Sequence, residues 1–164
     1  MIKFYTGVGS RKTPQNILNL MTATARKLAA MGYILRTGDA IGADTAFNSG
    51  AGNACERYTA ADATTEAEAI SKRFHPAWNR CKPFARKLHA RNAFQVLGRN
   101  LQTPSAFLIC WTPEGETRHS HRTIKTGGTG TAISIADNYN IPVFNLANPE
   151  HCLRIKAFAL SKGE

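Results

Sequence analysis

Between Glu68 and Glu114 the chain has no acidic residue. The same stretch carries Lys72, Arg73, Arg80, Lys82, Arg86, Lys87, Arg91 and Arg99, together with His75 and His89. So many cations without counter-charge in sequence argue for a basic patch rather than an evenly mixed surface. The whole chain leans the same way, with 21 Lys and Arg against 11 Asp and Glu and a net charge of +10. That balance suits a polyanionic partner, and nucleic acid is the commonest.

Other absences narrow the class further. The four cysteines, Cys55, Cys81, Cys110 and Cys152, are widely spaced and form no C-x-x-C pair. Neither a zinc knuckle nor a disulfide framework is implied, and no metal is expected. No apolar run approaches the ~18 residues a membrane span needs. The opening Met1–Thr6 is too short and too polar downstream for a signal peptide, so a cytoplasmic protein is expected. There is no internal repeat, no low-complexity tract and no linker-like segment. At 164 residues, 43% of them hydrophobic, residues 1–164 are expected to form one domain with a sizeable core.

Glycine is what stands out among the residues present. Gly7-Val8-Gly9-Ser10-Arg11, Gly38-Asp39-Ala40-Ile41-Gly42-Ala43-Asp44 and Thr126-Gly127-Gly128-Thr129-Gly130-Thr131 each follow an apolar or polar run and lead into a helix-like one. Such turns let backbone N–H groups approach an anion, and the helix start adds partial positive charge. None is a Walker loop or a G-x-G-x-x-G fingerprint, so no dinucleotide or other cofactor is expected.

Periodicity places the turns. Ile2–Thr6, Tyr33–Thr37, Glu56–Thr59, Ala106–Trp111 and Pro142–Phe144 read as strands, Ala106–Trp111 being wholly apolar as a central parallel strand should be. Helices are expected from Thr13, as N-cap, and Pro14 to Gly32, over Ala43–Ser49, Ala60–Ser71, Pro83–Leu97 and Thr129–Tyr139, and from Glu150 to Leu160. In Pro83–Leu97, Phe84, Leu88, Phe94 and Leu97 form the expected buried stripe. Alternating strands and helices predict an α/β, three-layer Rossmann-like fold with a mainly parallel sheet and helices on both faces. Ligands of such sheets bind beyond the strands' C-terminal ends, so the three turns should meet there.

The candidate phosphate- or nucleotide-binding set is therefore Gly7, Gly9, Ser10, Arg11, Gly38, Asp39, Gly42, Asp44, Arg91, Asn92, Gly127, Gly128, Thr129, Gly130 and Thr131. Asp39 and Asp44 would hydrogen-bond a sugar, act as a base or simply cap the next helix. Lys72, Arg73, Arg80, Lys82, Arg86, Lys87, Arg118, Arg122 and Lys125 form a candidate nucleic-acid patch. Phe74 and Trp78 lie among these cations and could stack on bases, although local core is the commoner fate of such aromatics. His119 and His121, flanked by Arg118 and Arg122, read as part of a phosphate-gripping loop rather than a metal site.

These motifs resemble the DprA/Smf-type Rossmann-like domain of the SLOG superfamily, which also holds the LOG nucleotide phosphoribohydrolases. Gly38–Phe47 is similar to the DprA Ser-Gly-Gly-Ala-x-Gly-Ile-Asp segment, Arg91-Asn92 to its Arg-Asn-Arg segment, and Thr126–Ala136 to its late glycine turn. The likeness spans residues Met1 to Leu146 and is nearest to short, phage-type DprA-like proteins. It implies single-stranded DNA binding in recombination or DNA processing, with Arg11, Arg91 and Gly127–Gly130 lining a phosphate groove. It also suggests a homodimer, for which Phe158 or Leu160, near the end, could serve as interface residues. The LOG motif is Pro-Gly-Gly-x-Gly-Thr-x-x-Glu. Here Thr126 replaces the proline and Ser134 stands where the catalytic glutamate belongs, so hydrolysis would need Asp39 or Asp44, with Arg91, as substitute. A non-catalytic nucleic-acid-binding protein is the leading expectation. The alternative is a LOG-like nucleotide- or NAD-related ligand-binding protein, either an N-glycosidase or a non-catalytic protein that senses or sequesters a nucleotide.

Overall fold

In the computed structural model, which describes residues 1–162, five strands form one all-parallel sheet: β1 (Lys3–Gly7), β2 (Tyr33–Thr37), β3 (Cys55–Arg57), β4 (Leu108–Cys110) and β5 (Val143–Asn145). Their spatial order is β3-β2-β1-β4-β5. Six α-helices complete the described chain: α1 (Gln15–Ala30), α2 (Ala43–Ala51), α3 (Thr65–Lys72), α4 (Pro83–Leu97), α5 (Thr129–Asn138) and α6 (Pro149–Leu160). The result is the three-layer α/β, Rossmann-like arrangement that the alternation of strands and helices predicts.

The two faces of the sheet are buried under separate apolar clusters. Leu108 and Cys110 of β4 point to a cluster with Ala93, Phe94 and Leu97 of α4 and Ile133 and Ile135 of α5. Ile109, between them, points the other way, toward Met21 and Leu28 of α1, Phe47 of α2 and Ile155 of α6. All three β4 residues are at most 1% exposed. That explains why this strand is the one wholly apolar run: both of its faces are interior.

Several local features differ from the sequence expectation. Thr13 does not cap α1. Its hydroxyl donates to Ser10 O at 2.6 Å, and Pro14 is the N-cap. Ala60–Ser71 splits into a short 3₁₀ turn, Ala60–Asp62, and α3, each begun by a threonine cap, Thr59 and Thr64. Phe84 is 64% exposed, because α4 meets the core only from its second half. From Asn92 to Leu97 every residue of α4 is buried, polar Asn92 and Gln95 included. No helix of the described residues is long and apolar enough to cross a membrane.

Candidate functional site

The sheet order reverses direction at β1. The chain moves outward through β2 and β3 on one side, then returns to start β4 on the other. Beyond the C-terminal ends of β1 and β4, therefore, two loops leave a crevice between them. Val8 N donates to Ile109 O and Ser10 N to Trp111 O, each at 3.1 Å, which holds the two loop bases side by side. A cavity of about 380 Å³ opens here, within the range of small-ligand sites.

All three glycine turns reach this cavity. The first contributes Gly9, Ser10 and Arg11, the second Ala40 and Asp44, and the third Gly127, Gly128 and Thr129. Arg91 and Asn92 enter from α4. Helices α2 and α5 begin at the cavity, and α1 begins just after its Arg11–Lys12 wall. The N-caps of these three helices, Gly42, Gly128 and Pro14, supply no side-chain hydrogen bond. Of the other helices, α3 and α6 are capped by Thr64 and Asn148, while α4 has no side-chain cap at Lys82. In the third turn the amides of Gly130 and Thr131 are taken by the carbonyls of Gly127 and Gly128. The amides of Gly128 and Thr129 are left without a partner among the described residues. Free helix-start amides beside Arg11, Lys12 and Arg91 make a wall of donors and positive charge suited to an oxyanion.

The opposite wall is polar and partly acidic. Arg91 donates to Asp39 in an ion pair between α4 and the second turn. Asp44 is 4% exposed and accepts from Ala40 N at 3.1 Å. Thr37 Oγ1 donates to Gly7 O at 2.6 Å and lies 3.2 Å from Asp44 Oδ1. Burial pushes the Asp44 carboxyl above the usual range, against the lowering effects of the Ala40 amide, Arg91 and the Thr37 hydroxyl. His89 also lines the cavity. Burial, with His75, Arg122 and Arg91 nearby, lowers its imidazole to about 4, so the ring is neutral at pH 7.

Four of the expected glycine-turn residues do other work. A Cβ on Gly7 would sit 2.7 Å from the Phe47 ring, and one on Gly38 would sit 2.6 Å from Asp44 Oδ2. Both glycines serve close packing behind the site. A Cβ on Gly130 would meet Arg122 Nε at 2.5 Å. Thr131 is fully buried, contacting His89 Nδ1 at 3.0 Å and accepting from Arg122 at 3.1 Å. Gly42 does belong to the site's frame: its φ of +103° starts α2 beside the Ser10–Arg11 backbone, a conformation other residues resist.

The basic patch is smaller than the sequence implies. Lys72, Arg73, Arg80, Lys82, Lys87, Arg118 and Lys125 are exposed. Arg122 is not a surface cation, since its guanidinium donates inward to Phe74 O at 2.9 Å and to Thr131. Arg86 lies over the Trp78 ring and donates to Trp78 O at 3.2 Å. Phe74 and Trp78 are themselves buried, at 9% and 8% exposure, and offer no open ring for a base. Ser134 is fully buried against His119 Nδ1 at 2.7 Å and does not line the cavity. Phe158 is half-buried under Lys27, while Leu160 is exposed.

Sequence reasoning missed Gln95. It is 1% exposed, lines the cavity, and its Oε1 has no hydrogen-bond partner. A buried, unpaired acceptor of this kind asks for a donor from a ligand. Its only sequence signal is a polar residue inside the apolar half of α4. Among the described residues one group could hold a metal: the ligand atoms of His75, Cys81 and His89 lie within 4.8 Å of one another. Comparison of the chain with protein-family models, with curated proteins and with solved structures found no match.

Proposed function

We propose that this protein binds single-stranded nucleic acid, seating one phosphate and its nucleotide in the switch-point cavity while the flanking backbone crosses the exposed cations of the α3–α4 segment. The observation that carries this reading is the convergence of two uncapped helix starts, those of α2 and α5, with Arg11, Lys12 and Arg91 on one cavity. Backbone amides recognise phosphate without regard to sequence, and Lys72, Arg80, Lys82 and Lys87 extend the attraction beyond the cavity. The resemblance to DprA-like domains points the same way. With Phe74 and Trp78 buried, affinity comes from charge and main-chain donors rather than from base stacking.

A second reading is binding of a free nucleotide. It is favoured by Gln95 Oε1 and Asp44 on the cavity wall, which match sugar hydroxyls or base N–H groups. With Ser134 outside the cavity and Asp44 held toward its neutral form, this reading is of binding rather than glycosidic hydrolysis.

Titration of a fluorescent oligonucleotide at several salt concentrations tests the first reading. Binding should fall on a log–log plot by roughly 0.7 per phosphate contact, a slope of at least about 3 if the exposed cations take part. A flat salt dependence, with a mononucleotide binding as tightly as the oligonucleotide, would establish the second reading in its place.

A further inference from the structure

The sequence gives no reason to look for a metal between His75, Cys81 and His89. Their spacing fits no common zinc pattern, and they come from an irregular segment, a short turn and a helix. The fold nevertheless brings them together. Cys81 Sγ lies 3.7 Å from His75 Nε2 and 3.9 Å from His75 Nδ1. The His75 and His89 rings meet edge to face with centroids 4.3 Å apart. The two sulfur–nitrogen separations are close to those between neighbouring ligand atoms on one tetrahedral ion, with metal–nitrogen bonds near ~2.0 Å and metal–sulfur bonds near ~2.3 Å.

We infer that His75, Cys81 and His89 form a three-ligand site for a borderline-soft divalent transition metal, with zinc the best match. Two imidazoles and one thiolate are the donors that zinc prefers, and three protein ligands leave a fourth position for water or an anion. Cys81 binds as the thiolate, its proton passing to solvent. Each imidazole places a ring nitrogen within 4.8 Å of the other two ligand atoms. His89 Nδ1 sits 3.0 Å from Thr131 Oγ1, an outer contact that orients the ring and leaves Nε2 for the ion. Trp78 packs against both rings and shields one side. Two features oppose the ion. Ala77 N donates to His75 Nδ1 at 3.0 Å, a contact that metal capture through Nδ1 replaces. Arg122 is a neighbouring cation, and the Cys81 thiolate offsets it.

The full-length, reduced and chelator-treated protein is titrated with Co²⁺, then back-titrated with Zn²⁺. The expected result is one equivalent of Co²⁺, a thiolate-to-cobalt charge-transfer band, visible bands of four-coordinate intensity, and bleaching by zinc. Cys81→Ser should abolish the charge-transfer band, whereas Cys55→Ser, on distant β3, should leave it intact. Thr131→Ala should weaken binding about tenfold to a hundredfold. Absence of a charge-transfer band in the unmodified protein overturns the proposal whatever the variants do, as does a band that survives Cys81→Ser. A variant that loses the apo thermal transition is replaced by His75→Gln, which is half-buried and should give the same loss of affinity.

Discussion

Gly128 separates binding from folding more cleanly than any other residue of the cavity. Its backbone is right-handed helical, φ −62° and ψ −30°, and a Cβ built on it meets nothing within 4 Å. A larger residue therefore costs the fold almost nothing, yet it projects into the space where an anion would meet the Gly128 and Thr129 amides. Gly128→Asp adds a negative charge at that point. Its stability should stay within about 0.5 kcal/mol of the parent, while oligonucleotide or nucleotide affinity should fall at least tenfold. Chemical denaturation alongside a binding titration checks both halves. Unchanged affinity would show that the third turn does not face the ligand. Neighbouring Gly130 makes the contrast. The same substitution there drives atoms into Arg122, so any loss of binding would be inseparable from damage to the turn.

At the scale of one element, α4 links the core to the site. Pro83 starts it, and Gly98 ends it with φ +79°. Beyond that end lies Arg36, 2% exposed and pinned by Thr103 O at 2.5 Å and by Glu56 at 3.3 Å. A Cβ on Gly98 would sit 2.6 Å from Arg36 Nη2. Gly98→Ala thus combines a disfavoured positive φ with a clash against a side chain that cannot swing away. It should lower stability by about 2 kcal/mol, a fall of roughly 4–8 °C in Tm for a chain of this size, which calorimetry would detect. The same helix shows what was legible in advance. Its ends were readable because proline and glycine act locally, through a missing N–H and a permitted φ. Its buried face was not. Phe84 fits the helical spacing but projects beyond the neighbouring layers, and polar Gln95 is interior because it faces the cavity. Similarly, Gly9 and Gly128 were recognisable as site residues because strand-to-helix turns in a parallel sheet share one edge. Gly7 and Gly130 look identical in sequence, and only their placement behind the cavity, against Phe47 and Arg122, separates them. The His75–Cys81–His89 cluster depends on how the irregular 73–82 segment folds back onto α4, which no periodicity encodes.

Across the whole molecule, a half-buried imidazole and a buried carboxyl pull stability in opposite directions with pH. His89 has a folded pKa of about 4, below the ~6.5 of a free imidazole. Between those values the unfolded chain binds more protons, so stability falls as pH drops through that window. Half-buried His75 is shifted in the same direction, and a chain with net charge +10 becomes still more self-repelling in acid. Asp44 works against this trend. Its folded pKa is raised, so its contribution is fullest below the free carboxylate value and is lost as pH rises through the folded one. In the unmodified protein the carboxyl therefore blunts the acid loss caused by the imidazoles. Asp44→Asn removes that compensation while keeping the contacts: the amide oxygen accepts from Ala40 N, and its NH₂ donates to Thr37 Oγ1. The variant should be more stable than the parent at pH 8, by about 1 kcal/mol or roughly 2–4 °C in Tm, and should lose that advantage progressively toward pH 4. His89→Gln should show the converse, a flatter acid limb with stability declining toward alkaline pH. Thermal midpoints of the three proteins measured from pH 4 to 8 decide the matter. If the Asp44→Asn curve runs parallel to that of the parent, burial does not raise the Asp44 carboxyl, and the site keeps its full negative charge.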